Sequence, residues 1–236
     1  MPSSMVAGPS LPPPFSLVTL READDAFSHA QTVAPTLGAG TLVWAGRFHL
    51  AEFALVLEPE EPLHLARRVV YAAGNAMVDA LSAHAPPLQG IGFDWPDAIR
   101  IDGALVGGLR MAWPEGAAED DAPDWLVLGS IIRMVVMRAG EPGLRPLLGG
   151  LDEQGFEELS PAAVIEGFTR YFLREMNDWN DQGFGAVRGR WLKRAEDKAL
   201  DIADDGNLLR GEERRTLGEA LLTPSWLDPS TGAPWI

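Results

Sequence analysis

The chain has 236 residues, 46% hydrophobic and 22% charged, enough for one globular domain with an appendage and an ordinary buried core. Acidic residues outnumber basic ones, 34 to 19, and a net charge of −15 makes a bare phosphate backbone a poor partner. Cysteine is absent, which excludes disulfides, thiolate metal sites and a cysteine nucleophile.

Residues 1–15 read as a flexible, proline-rich arm, because Leu11-Pro12-Pro13-Pro14 suits polyproline II geometry better than a helix. This stretch lacks the charged start and apolar run of a secretion signal. No apolar run approaches the roughly 18–20 residues of a bilayer span, so a cytoplasmic location and no membrane partner are expected. A strand over 16–20 and a helix over 22–34 follow. Thr41 to Trp44 and Glu52 to Leu57 read as strands joined through Ala45-Gly46-Arg47.

Pro62 suits a first helical position after Glu60 and Glu61. Leu63, Ala66, Val69, Val70, Ala73, Met77 and Leu81 recur at helical spacing, which predicts one helix over 62–84 that ends before Pro86-Pro87. Leu88 to Phe93, Ala98 to Ile101 and Ala104 to Trp113 read as strands, with Asp102-Gly103 placed for a tight hairpin. An acidic loop, Pro114 to Asp124, leads to a long strand over Trp125 to Arg138, and Gly140 to Gly150 is loop-like. Ser160-Pro161 marks a helix start, with an apolar face running to Trp179. A second helix is expected over 186–198, and Asp204-Asp205-Gly206-Asn207 suits a hairpin in a short β tail. Strands, helix, β block, helices and β tail together predict α+β architecture: a mostly antiparallel mixed sheet with packed helices.

Four histidines, His29, His49, His64 and His84, show no metal-ligand spacing, and no metal site is expected. There is no Gly-x-Ser-x-Gly elbow and no Gly-x-x-x-x-Gly-Lys phosphate loop. The most informative stretch runs from Phe93-Asp94-Trp95-Pro96-Asp97 through Ala98-Ile99-Arg100-Ile101-Asp102-Gly103 to Ala104-Leu105-Val106-Gly107-Gly108-Leu109.

This stretch resembles the central motif of the biotin/lipoate A/B protein ligase family: Trp-Pro-Asn-Asp, a strand, a turn, then Lys-(apolar)-Ala-Gly. Trp95, Pro96 and the pair Gly107-Gly108 match at that spacing. Ala45-Gly46-Arg47 resembles the start of the family's Gly/Arg-rich adenylate loop, and Gly183 to Arg194, with Arg190-Trp191, resembles the close of its catalytic domain. The resemblance implies a fold like that of biotin protein ligases and class II aminoacyl-tRNA synthetases over 16–198, with a small β-rich extension over 199–236. It implies activation of a carboxylic acid (biotin, lipoate or octanoate) by ATP and Mg, then transfer to a lysine of a biotinyl or lipoyl carrier domain. Nucleic acid is not an implied partner. A small acid is, and the ligand-binding residues carried over are Gly46, Arg47, Trp95, Pro96, Asp97, Gly107, Gly108 and, from the later strand, Arg133.

The chemistry explains those residue types. Backbone N–H groups at glycine approach phosphate closely. Arginine meets anions with forked hydrogen bonds. A lysine ammonium stabilises charge developing on the acyl carboxylate or phosphate. Yet the family's lysine falls at Leu105, and the two lysines, Lys193 and Lys198, lie far along the chain. The motif's Asn-Asp is Asp97-Ala98, and after Arg47 the Gly/Arg loop is cut short by Phe48-His49-Leu50.

Strict alternation puts Leu105 and Leu109 on one strand face and Arg110 on the other, unless a bulge falls at Gly107-Gly108. Two functions remain open. One is a divergent acyl ligase or acyltransferase, with Arg47 and Arg133 on the anion, Trp95 and Gly107-Gly108 around it, and Asp97 positioning the ligand or a metal. The other is a non-catalytic relative that binds a biotin- or lipoyl-like acid, or a carrier domain.

Overall fold

The structure, a computed structural model, describes residues 8–21, 24–136, 148–156, 158–228, 230 and 234–235. Seven strands form the main sheet: β1 (Ser16–Leu20), β2 (Thr41–Ala45), β3 (Leu50–Leu57), β4 (Ile91–Asp94), β5 (Ala98–Ile101), β6 (Ala104–Ala112) and β7 (Leu126–Arg133). Their spatial order is β1-β2-β3-β7-β6-β5-β4. β1 pairs parallel with β2, and the remaining neighbours pair antiparallel. The expected mixed, mostly antiparallel sheet with packed helices is what forms. Among the described residues, no helix is long and apolar enough to cross a membrane.

Alternation gives the sheet two different faces. Phe53, Leu55, Leu109, Met111, Leu128 and Ile132 point to one, and meet a layer built from α3 (Val69–Ser82), α4 (Pro161–Gln182) and α5 (Phe184–Arg194). Aromatic rings knit that layer to the sheet: Phe53 to Phe168 at 4.7 Å, and Phe93 stacked on Trp191 at 5.0 Å. Each fully buried Phe there stabilises the fold by about 1.5–3 kcal/mol. Ser160 caps α4, accepting from the Ala163 amide at 3.1 Å, with Pro161 at the first position. The sequence signal for that helix is therefore the physical cause of its start.

The other face is covered in two places. Ala26, Ala30 and Ala34 of α1 (Ala26–Leu37) lie on Val43, Ala54, Val56 and Val127. Farther along the sheet, Trp226 lies on Ala98, Leu105 and Ile131. Of the expected arm 1–15, residues 8–15 are described: Ser10 N–H donates to Glu166 at 2.8 Å, and Leu11 and Phe15 pack against the core.

Several elements differ in extent from the expectations. The single helix expected over 62–84 is two pieces, α2 (Leu63–Ala66) and α3. Between them, Arg68 N–H and Arg68 Nε both donate to the Leu65 carbonyl, which a continuous helix would give to the Val69 amide. α1 starts at Ala26 because Asp25 caps it, accepting from the Ser28 amide at 2.6 Å; residues 22–23 of the expected helix lie outside the described residues. β4 starts at Ile91 rather than Leu88, whose backbone is left-handed at φ 70°. α5 ends at Arg194 because Ala195 turns extended and bridges to Phe93. β7 ends at Arg133, and residues 137–138 of the expected strand lie outside the described residues, as do 140–147 of the expected loop.

The expected hairpin at 204–207 joins β8 (Asp201–Ile202) to β9 (Leu208–Arg210), with Gly206 at φ 85°. A third strand, β10 (Glu213–Arg215), completes the small sheet, and a helix that the sequence reading does not anticipate, α6 (Leu217–Leu222), follows it. The acidic loop is tied down rather than free. Glu119 accepts both terminal nitrogens of Arg67, at 2.6 and 2.7 Å, and that guanidinium keeps its carboxyl below the usual range.

Candidate functional site

The residues carried over from the motif divide between the two faces. Trp95 belongs to the helix side. Its Nε1–H donates to the Tyr71 hydroxyl at 2.7 Å, Tyr71 donates to the Gly206 carbonyl at 2.6 Å, and the Arg215 guanidinium sits 5.1 Å from the Trp95 ring centre. Burial raises the Tyr71 phenol above its ordinary value, which keeps it a neutral donor. Trp95 thus joins the main sheet to the small one, and Pro96 follows it through a cis peptide bond.

Asp97 and Gly108 face the other way. β5 and β6 change register between Ile99 and Arg100: Ile99 pairs with Gly107, but Arg100 pairs with Leu105. This irregularity puts one extra residue into β6 and flips the alternation. Leu105, Gly108 and Arg110 consequently share a face, while Leu109 and Met111 turn to the helix layer. Strict alternation would have sent Arg110 away from Leu105; the bulge brings it round.

The two glycines serve different ends. A Cβ on Gly107 would press into the Ile131 carbonyl of β7, so Gly107 permits a close strand approach. A Cβ on Gly108 would lie inside the Trp226 ring. Trp226 is fully buried there, and its Nε1–H donates to the Leu109 carbonyl at 2.8 Å. Beside it, Ser225 Oγ donates to Asp97 Oδ1 at 3.0 Å, while Asp97 Oδ2 is buried without a hydrogen-bond partner. Burial pushes the Asp97 carboxyl up to about 7, against the opposing pull of the Ser225 hydrogen bonds.

Between Trp226 and α1 the face is charged. Arg47, in the turn after Gly46, pairs with Glu52 and donates to the Asp24 carbonyl at 3.0 Å. Glu52 is 1% exposed and accepts the Ala26 amide, at the start of α1, at 3.1 Å. Burial raises its carboxyl, and the Ala26 amide and Arg47 counter that only in part. Arg110 lies 4.3 Å from the Phe27 ring centre and donates to Asp25 at 3.1 Å. Burial works against ionisation of Asp25 too, but the Ser28 amide and Arg110 outweigh it and hold the carboxyl low. Alternation along β7 places Arg133 on this face, two residues beyond Ile131 and opposite Leu50. Among the described residues, no group of three or more metal-ligating side chains is placed to hold an ion.

The structure therefore brings Asp97, Gly108 and Leu105 together, sets Arg47 at the α1 end of the same face, and removes Trp95 from it. Sequence reasoning missed Glu52, Asp25, Ser225 and Trp226. Glu52 carried a signal, a lone acid inside an apolar strand. Trp226 carried none, since Ala98, Leu105 and Ile131, on which it lies, are 95 or more residues away in sequence.

The sheet order, the helix layer on one face and the partly covered charged face opposite define a biotin protein ligase-like α+β domain. Residues 11–193 match the model of the biotin/lipoate A/B protein ligase family. The chain belongs to that family. It is 27% identical to a biotin protein ligase-like protein of unknown function from a Silicibacter species, with a TM-score of 0.79 over 89% of this chain and 97% of that one. The biotin protein ligase of Aquifex aeolicus shares the fold at 16% identity, with a TM-score of 0.68 over 85% of this chain and 94% of that one. That ligase has also been solved with biotin and ATP. A biotin–[acetyl-CoA-carboxylase] ligase of Paracoccus denitrificans is 25% identical over 144 residues. That match covers 60% of this chain and spans 58% of the relative's length.

Proposed function

We propose that this protein binds a small biotin- or lipoyl-like carboxylic acid on the charged sheet face and does not adenylate it. The observation that carries this reading is Leu105. Where the family resemblance puts a lysine ammonium, the side chain is aliphatic, buried among Ala98, Ile131 and Trp226. Neither lysine compensates: Lys198 Nζ is held by the carbonyls of Lys193 and Ala195, at 3.0 and 2.7 Å, just past α5 in the opposite layer.

The residues present do not fit a triphosphate. The shortened loop offers one arginine, Arg47, and its charge is met by Glu52. No step through ATP and Mg is therefore assigned. A single carboxylate asks for less. Arg47, Arg110 and Arg133 lie on the face, Arg47 paired with Glu52 and Arg110 with Asp25, so an incoming acid would take over one such pairing with a forked contact beside an apolar floor.

A second reading, acyl activation or transfer to a carrier domain rebuilt around arginine, is favoured by one observation. The bulge puts Arg110 on the face of Leu105. Calorimetric titration of biotin, lipoate and octanoate, each with and without Mg-ATP, separates the two. Non-adenylating binding predicts the same acid affinity in both conditions. An acid bound tenfold or more tightly with Mg-ATP would establish the second reading, and no binding of any acid would end both.

A further inference from the structure

We propose that the segment Pro224–Asp228 is a tethered occupant of the acid site: Trp226 fills the slot that the acid's apolar chain or ring would take, and the acid binds by displacing it. This inference rests on the acid-binding reading above. The slot is apolar at its base, where Ala98, Leu105 and Ile131 surround the indole and Leu50 and Leu227 pack beside them. Gly108 forms its floor, and any side chain there would occupy the ring's place. Arg110, two residues beyond Gly108, and Arg133, two beyond Ile131, lie on the same sheet face, so an apolar tail in the slot and an anionic head would meet matching surroundings.

The way the segment is held suits an occupant that leaves. Its ties to the main sheet include the indole, which donates to the Leu109 carbonyl, and Ser225, which donates to Asp97, and Asp228 at its end is engaged as well. Its backbone pairing is with the chain's own end: Leu227 bridges Pro234, and the Trp235 amide donates to the Trp226 carbonyl at 3.0 Å. On its other side lies a cavity of about 440 Å³, walled by Leu222, Pro224, Leu227 and Trp235 and not by Trp226. The segment is thus packed on the sheet side and borders that cavity on the other. Asp97 adds a further bias toward release, since its second carboxylate oxygen is buried without a partner and gains water when Ser225 departs.

Calorimetry with octanoate on the full chain and on Trp226→Ala tests the proposal, with free indole as a second probe. An occupant that must leave lowers the apparent affinity by the fraction of time it is docked. Octanoate is expected to bind Trp226→Ala at least about tenfold more tightly than the parent, and indole to bind that variant and compete with octanoate. Equal octanoate affinity in the two proteins would overturn the displacement proposal while leaving the acid-binding reading intact. Indole binding to the variant without binding of octanoate, biotin or lipoate to either protein would overturn both.

Should Trp226→Ala fail to fold, Ser225→Ala removes one tie and keeps the ring. It is expected to raise octanoate affinity about twofold to tenfold and to speed protease cleavage of the C-terminal segment. No change in either would overturn the proposal.

Discussion

Two tryptophans, Trp191 and Trp226, are both fully buried, and they sit on opposite faces of the same sheet. Trp191 belongs to a helix layer bound from several sides. It stacks on Phe93, and around it Arg190 pairs with Glu175, Arg194 pairs with Asp79, and Asn75 donates to the Val187 carbonyl at 3.0 Å. Trp226 belongs to a short segment near the chain's end, tied by side-chain contacts. Equal burial therefore does not mean equal permanence. An element that can open by itself does so at a fraction of the global unfolding free energy. The helix face is core; on the other face α1 buries one part as core, and the segment of Trp226 is the proposed removable cover.

The largest expected effect sharpens this contrast. Trp191→Ala should destabilise the protein by about 3–5 kcal/mol, the usual range for emptying a core aromatic site. Trp226→Ala should cost less than half as much, because the loss is bounded by the docking free energy of the segment. Urea midpoints at constant slope read both values. Equal losses would break the comparison.

The glycine pair is next. Gly107→Ala forces two backbones apart and should cost about 3 kcal/mol, near the top of the overpacking range, whereas Gly108→Ala needs only to expel Trp226 and should cost about 1 kcal/mol. Thermal melts give the costs. Protease sensitivity of the C-terminal segment should rise in Gly108→Ala and stay unchanged in Gly107→Ala.

The last effect is the pH dependence carried by Asp97. Its folded carboxyl is pushed up to about 7 from an ordinary 3.8, so the folded state holds this proton more tightly than the unfolded state. Its contribution is most favourable below the ordinary value and is lost as pH rises through about 7. Asp97→Asn abolishes that loss. Its stability relative to the parent should increase by about 1–3 kcal/mol between about pH 4 and about pH 8. Parallel pH curves for the two proteins would show that Asp97 is not buried beneath the segment.

The sequence carried the helix side of the molecule well. Ser160-Pro161 set the start of α4 and Asp102-Gly103 set the β5–β6 hairpin, because each of these is a local signal. The site was legible only in part. Gly107-Gly108 flagged a close approach without saying what approaches. The bulge beside that pair changed the face of Arg110, and a one-residue slip of that kind is set by the neighbouring strands rather than by the residues themselves. The break between α2 and α3 depends on where the Arg68 guanidinium finds a carbonyl, and periodicity does not encode that. Trp226 and Ser225 reach their places through tertiary packing alone.

The central claim is that a ligase-family fold here holds an acid face without the chemistry of adenylation. Exchange of labelled pyrophosphate into ATP tests it most directly, measured on the full chain with biotin, lipoate or octanoate present. The account predicts no acid-dependent exchange, because Leu105 offers no charge to the reacting carboxylate and the remaining loop arginine is met by Glu52. Exchange that appears on adding one of these acids, and disappears without it, would contradict the account and establish an adenylating site.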